Sequence, residues 1–236
     1  MTIEFLLLII AAYLLGSVPA AYLIAKWSRG IDLRKYGSGN VGGSNLIKAT
    51  SVKLAVPAIV YDLIKGALPV WVAQLLGMSP AEQMAAGIFA VIGHNWPVFL
   101  SFKGGRGMLT SLAVVFMMSP ILGLILLVMA YSLAPFKQMA LSVLIALASM
   151  PLFSWFLNQP LNIEERLPVT VGFAVLLLIA VVRRLAVPRS ALSESVPPMR
   201  LFINRLLFDR DIADRKAWIN RRPLEDKGSG KTGGTR

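Results

Sequence analysis

Cysteine is absent from this chain and histidine occurs once, at His94. Disulfides, thiolate chemistry and cysteine-based metal sites are therefore excluded. A lone histidine without a neighbouring acidic cluster makes a poor metal ligand set. Charge is scarce too: only 15% of the 236 residues are charged, and acidic residues are outnumbered 12 to 24 by Lys and Arg. With 56% hydrophobic residues, the chain carries more apolar surface than one water-soluble core of this length can hide, so lipid is the expected solvent for much of it. A net charge of +12 in a soluble protein would point to nucleic acid. Here the basic residues sit between and after apolar runs, which favours an anionic leaflet or an anionic substrate and excludes a nucleic-acid partner. The amino terminus has Glu4 where a secretory signal needs basic residues, so a retained helix is expected in place of a cleaved signal.

Apolar runs long enough to cross about 30 Å of hydrocarbon cover 3–25, 54–76, 81–99, 139–157 and 167–182. The run 107–134 is apolar throughout but interrupted by Ser119-Pro120, either a kink or a tight turn. Two short helices are the preferred reading. The expected fold is all-α: a polytopic integral membrane bundle of about seven transmembrane helices. Lys26, Arg29, Arg34, Lys35, Lys48 and Lys53 surround the first long loop, Lys103 and Arg106 a second, and Lys137 a third. Arg183 and Arg184 open the tail, while 77–80 and 119–120 carry no basic residue. The positive-inside rule then places the amino terminus outside and the carboxyl terminus in the cytoplasm of a multi-pass cytoplasmic-membrane protein. Residues 1–188 form the membrane domain. Residues 189–236 form a basic cytoplasmic tail, with an amphipathic segment over 199–220 and an end whose Gly/Ser/Lys composition predicts disorder.

Two loops carry candidate chemistry. In the first, Gly37-Ser38-Gly39-Asn40-Val41-Gly42-Gly43-Ser44-Asn45 combines glycines, which let amide N–H groups turn toward one anion, with hydroxyl and amide donors. A phosphate cradle and a flexible solvated loop both fit that run. The second, from Gly93-His94 to Lys103-Gly104-Gly105-Arg106-Gly107, sets positive charge on a backbone that can approach a phosphate ester closely. It also fits a plain basic connector. His94 is either a general acid or base or a structural hydrogen-bonding residue. Asp62 and Lys65, three apart in the second span, share a helix face and should neutralise each other inside the bundle, as a lock or beside the substrate path. The terminal Gly228-Ser229-Gly230-Lys231-Thr232 imitates a P-loop, but Glu225 stands where its first glycine belongs.

The patterns Gly-Ser-Gly-Asn-x-Gly-x-x-Asn (37–45) and Gly-His-x-x-Pro-x-Phe-x-x-Phe-Lys-Gly-Gly-x-Gly (93–107) resemble the membrane acyl-phosphate:glycerol-3-phosphate acyltransferases of bacteria, the PlsY family. The resemblance covers roughly 3–184 and includes Gly16-Ser17-Val18-Pro19 and Asp62-Leu63-Ile64-Lys65-Gly66. It implies acyl transfer from a fatty acyl phosphate to glycerol 3-phosphate, giving lysophosphatidate at the cytoplasmic face, with membrane lipids as surroundings. No cofactor, metal or nucleotide is implied, and a monomer is expected. Carried over, Ser38, Lys48, His94 and Lys103 take catalytic places. Gly37, Gly39, Asn40, Gly43, Asn45, Gly104, Gly105 and Arg106 would hold phosphate. Lys48 stands where the family has arginine, and Ala140 where it has serine. The family's third motif is not found after the last span; its nearest echo, 203–207, makes Asn204 and Arg205 the tail's candidate phosphate ligands. The alternative is a catalytically impaired relative that binds an anionic lipid precursor or regulates a partner.

Overall fold

The computed structural model describes residues 2–187 and 193–219. The P-loop imitation and the predicted disordered end lie outside the described residues. Among the described residues every regular element is helical. The first apolar run is two helices, α1 (Ile3–Ser17) and α2 (Ala20–Arg29), where a single helix over 3–25 was expected. Pro19 is the cause, because it has no N–H to continue the ladder. Beyond the break α2 is amphipathic and stops at Gly30, whose φ of 68° is the left-handed conformation that glycine adopts freely.

A short α3 (Gly43–Ala49) precedes α4 (Val52–Leu75), which is capped by Ser51. Then α5 (Pro80–Asn95) starts with a capping box: Ser79 Oγ accepts from the Glu82 amide, and the Glu82 carboxylate accepts from the Ser79 amide. It ends at Asn95, short of the expected 99, because Trp96-Pro97 turns the chain out of the helix. The 107–134 run divides at Ser119 into α6 (Met108–Met118) and α7 (Pro120–Ser132), the preferred of the two readings. Next come α8 (Met139–Phe156) and α9 (Arg166–Leu185), and after the tail's start α10 (Pro198–Phe208) and α11 (Arg215–Ile219).

Four of these segments are long and apolar enough to cross a bilayer: Ile3–Arg29, Val52–Leu75, Met139–Phe156 and Arg166–Leu185. The apolar helices α6 and α7 are shorter. Exposed Leu7, Ile10, Val60, Leu124, Val128 and Leu178 cover the outer surface, as lipid-facing positions should. Inside, Val70, Met84, Val114, Leu122, Met150 and Phe173 join α4 to α9 in one core. A smaller core of Ala21, Ala25, Leu33, Leu46, Ala55 and Ala58 holds α2 and α3 on α4. The backbones of α1 and α5 come into contact: a Cβ at Gly16 would overlap the Ala90 carbonyl, and one at Gly93 the Tyr13 carbonyl.

The connections sort to two ends. Gln74, Met118, Asn162 and Glu164 meet around one hollow, and Ser119 Oγ donates to the Leu161 carbonyl (2.7 Å), so the 76–79, 119 and 157–165 turns share one end. The 30–42 and 96–107 loops, the end of α9 and the tail gather at the other.

Candidate active site

The first loop is organised by Asn45. From the first turn of α3 its Oδ1 accepts from the Ser38 amide (3.2 Å), while Nδ2 donates to the carbonyls of Leu33 (3.2 Å), Tyr36 (2.9 Å) and Asn40 (3.0 Å). Asn45 is 1% exposed, and these bonds occupy its amide completely, so that it shapes the loop. Gly37 and Gly39, at φ 54° and 68°, make the tight turn it closes around. Ser38 Oγ accepts from the Asn40 amide (3.3 Å), and both side chains stay half-exposed at the loop's tip. Gly43 begins α3, and Lys48, one turn later, is exposed. Before the glycines, Asp32 accepts from the Arg34 amide and is chelated by its guanidinium (3.0 and 2.7 Å). That hydrogen bonding holds the Asp32 carboxyl below its ordinary range, against the opposing effect of partial burial.

The second loop leaves α5 at Trp96, whose carbonyl accepts from Tyr13 Oη (3.0 Å). Ser101 and Phe102 both adopt positive φ (50° and 62°), a costly conformation for a bulky residue, and present Lys103 in the open. The following glycines return to the interior. The Gly105 amide donates to the His94 carbonyl (3.1 Å), and a Cβ on Gly105 would overlap His94 Nε2. Arg183, from the last turn of α9, donates from Nε to the Gly105 carbonyl (3.1 Å) and from Nη2 to the Gly104 and Gly105 carbonyls (3.0 Å each). Its guanidinium also lies 5.4 Å from the Trp96 ring centre, within cation–π range.

The two loops meet. Val41, next to Asn40, and Gly104, next to Lys103, line one small cavity of about 10 Å³, with Ser17, Asp62, Lys65 and His94 completing its wall. That is room for about one water. Asp62 (4% exposed), Lys65 (1%) and His94 (7%) are all buried there. Lys65 Nζ is 2.7 Å from Asp62 Oδ1, and His94 Nδ1 is 3.4 Å from the same oxygen. The sequence left no carboxylate assignable to His94; the fold supplies Asp62.

The tail candidates Asn204 and Arg205 make their bonds within the protein. Asn204 Nδ2 donates to the Asp211 carbonyl (3.1 Å), and Arg205 donates to the Asp211 carboxylate (2.8 Å) and the Leu185 carbonyl (2.9 Å). Both are buried and fasten the tail to itself and to α9. Arg184 reinforces this through the Leu206 carbonyl (2.7 Å) and the Ala140 carbonyl (2.9 Å). Arg106 forms an ion pair with Asp209, which brings the tail onto the second loop.

Sequence reasoning missed Arg183, which it counted only as tail charge, and left Asp62 and Lys65 undecided between lock and substrate path. The available signal for the pair was an acid and a base one turn apart in an apolar helix. For Arg183 there was none, since its partners are backbone carbonyls nearly eighty positions away.

Residues 6–189 match the family model described as glycerol-3-phosphate acyltransferase. Glycerol-3-phosphate acyltransferase 4 of Dehalococcoides mccartyi (strain CBDB1) is 45% identical over 223 residues, covering 94% of this chain and 96% of that protein. Glycerol-3-phosphate acyltransferase 5 of a second strain of that organism is 42% identical, covering 94% and 95%. A match of that extent necessarily runs into the tail. Among solved structures, the glycerol 3-phosphate form of PlsY, an integral membrane glycerol 3-phosphate acyltransferase, aligns with a TM-score of 0.69 at 34% identity, covering 77% of this chain and 88% of that one. Its lysophosphatidic acid form aligns at 0.67 and 32%, with the same coverage.

Proposed function

Because the chain belongs to the glycerol-3-phosphate acyltransferase family, we propose that it transfers a fatty acyl group from acyl phosphate to the 1-hydroxyl of glycerol 3-phosphate. The hydroxyl oxygen attacks the acyl carbonyl, the C–O bond to phosphate breaks, and lysophosphatidate and inorganic phosphate are the products. The hydroxyl proton leaves on the phosphate. Phosphate is already a good leaving group, so positioning and charge stabilisation supply the catalysis without an enzyme nucleophile. The observation that carries this reading is the meeting of the two glycine loops on one cavity wall, through Val41 and Gly104.

In this reading the substrates bind at the mouth of that cavity, which is too small to enclose them. Ser38, Gly39 and Asn40 offer donors from one side, and exposed Lys103 and Lys48 supply positive charge. Gly37, Gly43 and Asn45 shape the first loop; Gly104 and Gly105, held by Arg183, shape the second. The bundle uses α1 with α2, and α4 to α9, as seven spans with the glycine loops on the cytoplasmic side. The chain acts as a monomer, and residues 1–188 form the catalytic domain.

A second reading, an impaired member that binds an anionic lipid precursor, draws on the tail: Asp209 engages Arg106, while Asn204 and Arg205 are committed to Asp211 and Leu185. Phosphate release from palmitoyl phosphate by purified protein, with and without glycerol 3-phosphate, separates the two. Glycerol 3-phosphate-dependent release that Lys103→Ala abolishes supports the enzyme. Release equal in wild type and Lys103→Ala supports the impaired binder.

A further inference from the structure

The buried charges of α4 have no part in the reaction as written above, yet they occupy the wall of its cavity. We propose that Asp62 is a positioning residue of this site: its carboxylate, anchored by Lys65, holds the His94 imidazole so that the opposite ring edge supports the Gly104–Gly105 backbone. The inference rests on the acyl-transfer reading for its kinetic consequence but not for its geometry.

A line of contacts runs from the first helix to the second loop. Lys65 Nζ lies 3.5 Å from the Val18 carbonyl, at the break where Pro19 withholds an amide, and 2.7 Å from Asp62 Oδ1. Asp62 Oδ1 faces His94 Nδ1 at 3.4 Å, long for a hydrogen bond, and among the described residues Nδ1 has no hydrogen-bond partner. A buried polar atom left unpaired is costly. A small ring rotation toward Asp62 removes that cost and places the imidazole proton on Nδ1. Nε2 then turns its lone pair to Gly105, the position at which any Cβ would overlap it.

Arg183 takes both glycine carbonyls. His94 and Arg183 therefore both bear on the pair. With the Gly105 carbonyl fixed toward Arg183, the trans geometry of the next peptide turns the Arg106 N–H the opposite way. The orientation of the second loop's donors therefore depends on where the imidazole sits. A mere helix lock would need Asp62 and Lys65 only, because a buried ion pair can be exchanged for an apolar pair of similar volume with little loss of stability. That difference makes the proposal testable.

The double variant Asp62→Leu with Lys65→Met removes both charges together, whereas Asp62→Leu alone would strand the Lys65 ammonium. Because His94 is the only histidine, its nitrogen NMR signals in the full-length, tag-free protein in detergent need no assignment. The expected wild-type spectrum shows one tautomer protonated at Nδ1, and the double variant a mixture. Its thermal midpoint should stay near wild type while kcat falls about ten- to a hundredfold, with KM for glycerol 3-phosphate and for the acyl donor changed by less than about twofold. Asp62→Asn, which keeps shape, should shift the tautomer in the same direction and serves if the double variant does not fold. A folded variant with wild-type kcat and an unchanged His94 spectrum would overturn the proposal and leave Asp62 as a lock. Absence of turnover in the wild type with any acyl phosphate would defeat the acyl-transfer reading instead, and the tautomer shift alone would then decide the role of Asp62.

Discussion

At the scale of single residues, the same side-chain chemistry serves two purposes in the first loop. Asn45 and Asn40 both read as phosphate donors in the sequence, but Asn45 is buried and bonded to four backbone groups while Asn40 stays at the tip. Asn45→Ala would leave the Ser38 amide and three carbonyls without their partner, at a cost of about 1–3 kcal/mol for buried groups so stranded. Its expected signature is a lower thermal midpoint together with a raised KM for both phosphorylated substrates. Asn40→Ala should raise KM with the midpoint unchanged. Asp32 gives the loop a pH dependence of definite sign. Its hydrogen bonds to Arg34 hold the folded-state pKa below the unfolded one, so the contact stabilises the loop above about pH 4 and is lost as pH falls through the folded value. The difference in thermal midpoint between wild type and Asp32→Asn should thus be constant above about pH 5 and shrink on further acidification. A difference that grows in acid would contradict the assignment.

At the scale of elements, Ser119-Pro120 and Val18-Pro19 make an instructive pair. The first break was legible because a Ser before a Pro is a helix N-cap signal, and Ser119 does cap α7 through the Leu122 amide (3.2 Å). The second was not, because the apolar run resumes past Pro19 and Ser17, which does not stand directly before the proline, donates back to the Tyr13 carbonyl (2.8 Å) inside α1 and caps nothing in α2. The early end of α5 belongs with it: Pro97 outweighs the apolar Val98 and Phe99 that extend the run. The tail helix α10 was visible as an amphipathic stretch, but Arg184's bond to the Leu206 carbonyl is a tertiary pairing that no local pattern encodes. Likewise the loop motifs were legible as short spacings, whereas the Asp62–His94 approach requires α4 and α5 to pack first. Ser119→Ala tests the element level directly. It removes a cap and the donor to the buried Leu161 carbonyl, for a loss of about 1–2 kcal/mol. Since α6 rises roughly 17 Å from the second loop to that turn, kcat at low temperature should be unaltered while the thermal midpoint drops. A fall in kcat at full stability would mean that the two ends are coupled.

At the scale of the whole molecule, the ends of the bundle differ in charge as well as in connection. Lys103, Arg106, Arg183, Arg184 and Arg205 belong to the end with the glycine loops, whereas the other end has Glu82, Glu164 and Glu165, with Arg166 beside the Trp155 ring. The proposed reaction, with its water-soluble phosphorylated substrates, and the positive-inside rule predict the same orientation, with the basic end toward the cytoplasm. The absence of cysteine makes this accessible to a clean measurement, because each introduced thiol is the only one in the chain. Gln159→Cys and Lys53→Cys place exposed thiols at opposite ends, in the α8–α9 turn and beside the first loop. A membrane-impermeant maleimide applied to intact cells should label Gln159→Cys at once and Lys53→Cys only after permeabilisation. The reverse order would turn the glycine loops outward and contradict the proposed cytoplasmic site. Labelling of both from one side would show that an even number of membrane crossings separates them, which the seven-span arrangement forbids.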